Sequence, residues 1–138
     1  MMKSAVCLGT AFLMAVPVAA PIHGADSMAG LPPPESAHLD LQFGIATWYG
    51  GNFQGLQTAN GEKFDMNVST AAHRHLPMGS LVRVTNLHNH KAVMVRINDR
   101  GPWGTSSIID LSRSAAYHLG MQEQGHARVS LQTVALPQ

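Results

Sequence analysis

Three groups of residues have types and spacings that could do chemistry. In "INDRGP", residues 97–102, Asp99 stands between an amide and a guanidinium, directly after the strongest apolar alternation in the chain. In "KAVMVRIND" the residues Val93, Val95 and Ile97 share one strand parity, and continuing it carries Asp99 to that same side, at the rim of a core. A carboxyl group partly removed from water there has its charged form disfavoured, which suits it to general-acid work. Arg100 opposes this if its guanidinium folds back onto Asp99. An Asn-Asp pair at a strand end is also a common Asx-type turn, and the residues alone leave both readings open.

The second group is "TANGEKFD", where Asn60-Gly61 marks a turn that presents Glu62 and Asp65. Loop carboxylates are usually solvated, so composition assigns them no task. The third group is histidine: His73 and His75 in "HRH", His88 and His90 in "HNH". Residues two apart on a strand point the same way and could hold a metal, but neither pair has a Cys or carboxylate at a recognised ligand spacing. We therefore expect no metal and no cofactor. Aromatic residues, Trp48, Tyr49, Phe53 and Trp103, gather where loops meet strands, offering either core volume or flat faces for sugar rings. Ser69-Thr70 and Ser106-Ser107 lack the Gly-flanked context of a nucleophilic serine.

These residues need a scaffold. The chain has 138 residues, enough for one domain plus extensions. Residues 1–25 open with Lys3, continue through an apolar run over residues 5–20 and end in small residues, the order of a secretory signal peptide cut between residues 20 and 25. The run is shorter than the roughly 18 to 20 residues of a bilayer-spanning helix, so no membrane span is expected after its removal. The protein is thus read as exported, periplasmic or secreted. The single cysteine, Cys7, lies too early in the leader to be an acylated residue, so it is read as not a lipoprotein. Residues 26–41 contain three consecutive prolines and no apolar period, a linker. Without Lys3 there are eight Lys and Arg against eight Asp and Glu, which lacks the electrostatic footprint of nucleic-acid binding.

From residue 42 to 138 short stretches alternate with turn signals: "GIATWYG", "SLVRVTNL", "KAVMVRIN", "SSIIDL" and "ARVSLQTVAL". This fits a small all-β barrel or sandwich, since a parallel α/β fold needs about 10 to 15 helical residues between strands. One short helix is expected in "DLSRSAAYHLGM", capped by Ser112 and ended by Gly120. A second helical turn is expected in "STAAHRHLPMG", stopped by Pro77.

Five ordered motifs, "WYG", "TANGE", "TAAH", "NDRGP" and "IDLS", together resemble the RlpA-like family of peptidoglycan lytic transglycosylases, from residue 44 to about 136. The resemblance implies an all-β, six-stranded double-psi β-barrel with one or two short helices. It implies a metal-independent lyase that acts as a monomer on peptidoglycan glycan strands, including strands stripped of stem peptides. One carboxyl would protonate the oxygen between N-acetylmuramic acid and N-acetylglucosamine, then take the proton of the sugar's 6-hydroxyl, leaving a 1,6-anhydromuramyl end. By the family pattern Asp99 is that acid/base, and Glu62 and His73 are further catalytic positions that tune it or bind sugar. Tyr49, Arg100 and Trp103 would bind substrate, Arg100 alternatively locking its loop. Asp110 is expected to be a structural acceptor near the helix start. The chain departs from many members in lacking a lipid-attached Cys and a glycan-binding SPOR module, in Ser107 where an Arg is common, and in His90 where Gly is common. Because expansin-like and barwin-like barrels bind or loosen wall polysaccharide without cutting it, a non-catalytic glycan-binding module is the alternative.

Overall fold

The computed structural model describes residues 40–138; the expected leader, and the linker up to residue 39, lie outside the described residues. Six strands form the domain: β1 (Leu41–Tyr49), β2 (Thr70–His73), β3 (Leu81–Asn86), β4 (Ala92–Asp99), β5 (Ser107–Ser112) and β6 (His126–Ala135). They close into a barrel in the order β1-β5-β2-β4-β3-β6. The pairs β1/β5 and β2/β4 are parallel, and the other four are antiparallel. This is the all-β barrel that the motifs imply. β1 begins at Leu41, one residue inside the stretch assigned to the linker.

The alternating apolar residues fill the barrel. Val82 and Val84, Val95 and Ile97, Ile109 and Leu111, and Val129 and Leu131 are almost wholly buried, a pair from each of four strands. One α-helix, α1 (Arg113–His118), packs on β1, β4 and β5, with Ala115 and Ala116 buried. Its ends are those expected: the Ser112 Oγ accepts the Ala115 N–H, and Gly120, at φ 64°, lets the Met121 N–H return to the Ala116 carbonyl. Among the described residues no helix is long and apolar enough to cross a membrane.

The helical turn expected in "STAAHRHLPMG" is instead β2. Alanine favours a helix locally, but the four residues are buried and sit between β4 and β5, whose ladders take their backbone groups on both sides. The second short helix is a single 3-10 turn elsewhere, Gly51–Phe53.

Candidate active site

The alternation of β4 fails at its last step, and this failure builds the site. Ala71 of β2 pairs with Ile97, but the next residue, Ala72, pairs with Asp99, so Asn98 is an extra residue in β4. Such a bulge reverses the parity of the residues beyond it. Asp99 therefore leaves the core side, where simple alternation predicts it, and takes the outer face with Ala72. Ala72 pairs in turn with Asp110 of β5, and Asp110 with Thr47 of β1. One row thus runs across four strands, Thr47, Asp110, Ala72, Asp99, and all four line an outward groove of about 360 Å³. A larger hollow of about 700 Å³ between His88, His126 and Arg128 contains no carboxylate and offers no acid or base of that kind.

Backbone donors orient Asp99. The Ala59 N–H donates to its Oδ1 at 3.0 Å and the Arg100 N–H to the same oxygen at 2.9 Å. The Asp99 side chain lines the groove. Ala59 is in place because "TANGE" folds as a tight turn. Thr58 and Glu62 bond through their backbones, Gly61 supplies a φ of 91°, and the Asn60 Oδ1 accepts the Glu62 N–H. The Asn60 N–H then docks the turn on the carbonyl of the bulge residue Asn98.

Glu62 itself lies outside the groove lining. Its carboxylate accepts both Arg96 Nη1–H at 2.6 Å and Nη2–H at 2.9 Å, and Asn60 Nδ2–H at 2.8 Å. The Arg96 hydrogen bonds, outweighing a small burial penalty, hold its pKa down to about 2. Its charge is paired with that of Arg96.

His73 is also not in the groove. It is 4% exposed, and its Nδ1 accepts the N–H groups of His75 and Leu76 while Nε2 meets the Gln42 Oε1 at 3.3 Å. These partners fix the neutral tautomer protonated at Nε2. Burial, then the positive charge of His75 and of Arg100, lowers its pKa to about 4.

Arg100 does not fold back onto Asp99. Its Nη1 donates to the carbonyls of His73 at 3.1 Å and Leu76 at 2.8 Å, tying the end of β4 to the turn after β2. Among the described residues the ion pair is Arg96 with Glu62. Arg74, the residue between the two histidines, answers with three bonds in the other direction, to the carbonyls of Pro102, Thr105 and Ser107. It pins the loop that carries Trp103, which is 67% exposed at the groove.

Tyr49 lines the groove, stacked on buried Phe64 at 4.6 Å and edge-on to exposed Phe53 at 5.6 Å. Its hydroxyl is buried without a hydrogen bond inside the protein. Burial first, then the charges of Asp99 and Asp110, push the phenol above its usual range. The groove lining thus includes Asp99, Tyr49, Arg100 and Trp103, and does not include Glu62 or His73. Sequence reasoning overlooked Arg74, and Asp110, expected as an acceptor near the helix start, also lines the groove. Ile109 and Leu111 face the core, and that alternation alone sets Asp110 on the groove side.

Residues 41–131 match the family model described as lytic transglycolase, the double-psi β-barrel. The chain belongs to the RlpA-like double-psi β-barrel family. This RlpA-like chain is 53% identical over 93 residues to the endolytic peptidoglycan transglycosylase RlpA of Neisseria meningitidis, covering 67% of the chain and 39% of that protein. It is 50% identical over 102 residues to the Pseudomonas aeruginosa protein of the same name, covering 74% of the chain and 30% of that protein. It thus spans about a third of the length of the curated relatives it matches. In fold, the RlpA-like barrel is similar to Streptomyces papain inhibitor, at a TM-score of 0.57 and 22% identity over 69% of the chain and 94% of that protein. It is likewise similar to Clavibacter michiganensis expansin, at 0.56 and 23% over 71% of the chain and 52% of that protein.

Proposed function

We propose that this barrel is a lytic transglycosylase that cleaves the N-acetylmuramic acid to N-acetylglucosamine bond of peptidoglycan glycan strands and leaves 1,6-anhydromuramyl ends. The observation that carries the reading is Asp99: a bulge turns it outward, two backbone N–H groups hold one of its oxygens, and its side chain lines the groove. The reaction needs two proton transfers, one to the departing glycosidic oxygen and one from the muramic acid 6-hydroxyl. A single carboxyl can make both in turn, and we assign that role to Asp99. Glu62 and His73 serve it at one remove: the first steadies the turn that supplies Ala59, the second the turn whose carbonyls hold Arg100. Trp103 and Tyr49 give sugar rings an apolar surface.

We read the substrate as peptidoglycan glycan strands, including those without stem peptides, and the working unit as a monomer. Reading residues 1–25 as an export leader and 26–41 as a spacer places the activity in the wall compartment. The test is incubation of purified protein with denuded glycan strands and mass spectrometry of the products. Anhydromuramyl ends are expected. Their absence, with binding to peptidoglycan retained, would replace the enzyme by a glycan-binding module.

A further inference from the structure

Asp110 is a second carboxyl in the groove that the single-carboxyl scheme leaves idle. It and Asp99 pair with the same residue, Ala72, from opposite sides. Their backbones are therefore two strand spacings apart, about 10 Å, and both side chains flank a methyl group too small to separate them. Side chains leaning over that gap reach the range of about 5 to 10 Å in which carboxyl pairs act on one glycosidic bond.

The two are differently equipped. Asp99 has two N–H donors on one oxygen. Asp110 has Thr47 as its hydrogen-bonding side-chain neighbour, and its Oδ1 is buried with no hydrogen bond inside the protein. Tyr49 Oη, beside it in the groove lining, is likewise without a partner. Two polar atoms at one floor with no partner inside the protein have hydrogen-bonding capacity left for water or substrate. Burial, opposed by the Thr47 hydrogen bond and assisted by the charge of Asp99, raises the pKa of Asp110, so it keeps its proton more readily than a solvated carboxyl.

We propose that Asp110 delivers the proton to the glycosidic oxygen while Asp99 accepts the proton of the 6-hydroxyl. This rests on the transglycosylase reading and divides the two transfers between the two carboxyls. As the bond from C1 of N-acetylmuramic acid to the glycosidic oxygen breaks, that oxygen takes the Asp110 proton and leaves as the 4-hydroxyl of N-acetylglucosamine. The 6-oxygen bonds to C1, and its proton passes to Asp99 Oδ2. One proton has moved from Asp110 to Asp99, and exchange with water restores both.

Leaving-group dependence tests this. Wild type, Asp110→Asn and Asp99→Asn are compared on glycan strands and on a disaccharide ending in N-acetylmuramic acid with 2,4-dinitrophenolate at C1, a leaving group that needs no proton. Asp110→Asn is expected to lose about 10²- to 10⁴-fold on strands and to recover to within about tenfold of wild type on the dinitrophenyl substrate; Asp99→Asn should fail on both. Equal loss of Asp110→Asn on both substrates, or no loss on strands, overturns the division of labour. Wild type forming no anhydro product from strands would instead remove the transglycosylase reading beneath it.

A wild-type pH series needs no variant to fold. Facing Asp110 are Thr47 and Tyr49 from β1, Asp99 from β4 and Arg100 just beyond it, while β2 presents only Ala72. The rate on strands should fall on the alkaline side as Asp110 loses its proton, and the dinitrophenyl rate should lack that limb. The same limb on both substrates refutes the assignment.

Discussion

Arg100→Ala should cost stability, not glycan affinity. In the wild type one guanidinium nitrogen serves two carbonyls, those of His73 and Leu76, and both residues are buried. Hydrogen bonds to a charged group contribute about 1.5 to 3 kcal/mol each in favourable sites. Arg100 is only half-buried, so water replaces part of the loss, and about 2 to 3 kcal/mol for the two together is the reasonable scale. For a domain of about 100 residues, each kcal/mol moves the melting temperature by about 4 to 8 °C. The variant should therefore melt roughly 10 to 20 °C lower by circular dichroism at neutral pH. Arg100→Lys should fall between, since an ammonium keeps the charge but reaches the carbonyls with a different geometry. Binding to denuded strands, measured well below the melting point, should change little. A melting temperature within about 2 °C of wild type, together with much weaker binding, would refute the loop-lock argument and return Arg100 to the substrate.

Asp99→Asn should abolish cleavage by at least about 100-fold with a melting temperature within about 2 °C, because the amide Oδ1 can still accept the Ala59 and Arg100 N–H groups; a variant retaining most activity moves proton transfer elsewhere. Trp103→Ala removes an exposed ring, so stability should hold while affinity for strands drops about threefold to tenfold by sedimentation binding; unchanged affinity takes Trp103 out of the groove's sugar surface. His73, with its pKa lowered to about 4, favours the fold when neutral. Its stabilisation is complete above pH 6.5, where the unfolded imidazole is also neutral, and is lost as the pH falls from 6.5 through 4, by as much as about 3 kcal/mol. Its ring protons followed by NMR should not titrate near pH 6.5, and a midpoint there would show that the ring is not held neutral by burial.

What the sequence made legible were features carried by neighbours in the chain. Ser112 and Gly120 declare the ends of α1 because capping acts within one turn. Val93, Val95 and Ile97 declare β4 because alternation needs no partner. The strand β2 was hidden since all four of its residues are buried, which erases alternation and leaves only the helix preference of Ala71 and Ala72. Arg74 was hidden for another reason: its partners are carbonyls of residues 102, 105 and 107, and no side-chain motif marks a backbone acceptor. The "HRH" pattern drew notice to its histidines, whereas His73 works as a buried acceptor and the arginine between them holds the groove loop. Ordered motifs located Asp99, but its direction required the register of β2 against β4.

That register has a counterpart. In the other parallel pair, Ile45 of β1 faces Ser107 and Ala46 faces Ile109, so Ile108 is an extra residue in β5 as Asn98 is in β4. Each bulge lies just before a groove carboxylate, Ile108 two residues ahead of Asp110 and Asn98 one ahead of Asp99. The β5 bulge depends on Gly44, where an added Cβ would stand 2.7 Å from an Ile108 methyl. Asn98, by contrast, is 2% exposed with an unpartnered Oδ1, and its carbonyl receives the Asn60 N–H. One bulge is thus fitted by removing a side chain from the neighbouring strand, the other by docking a turn on its backbone. A regular ladder would have turned Asp99 into the apolar interior, where a carboxyl could meet neither sugar nor water. The β4 irregularity is therefore what adds Asp99 to the face that already carries Asp110, and the "TANGE" turn belongs to the site because it completes that bulge.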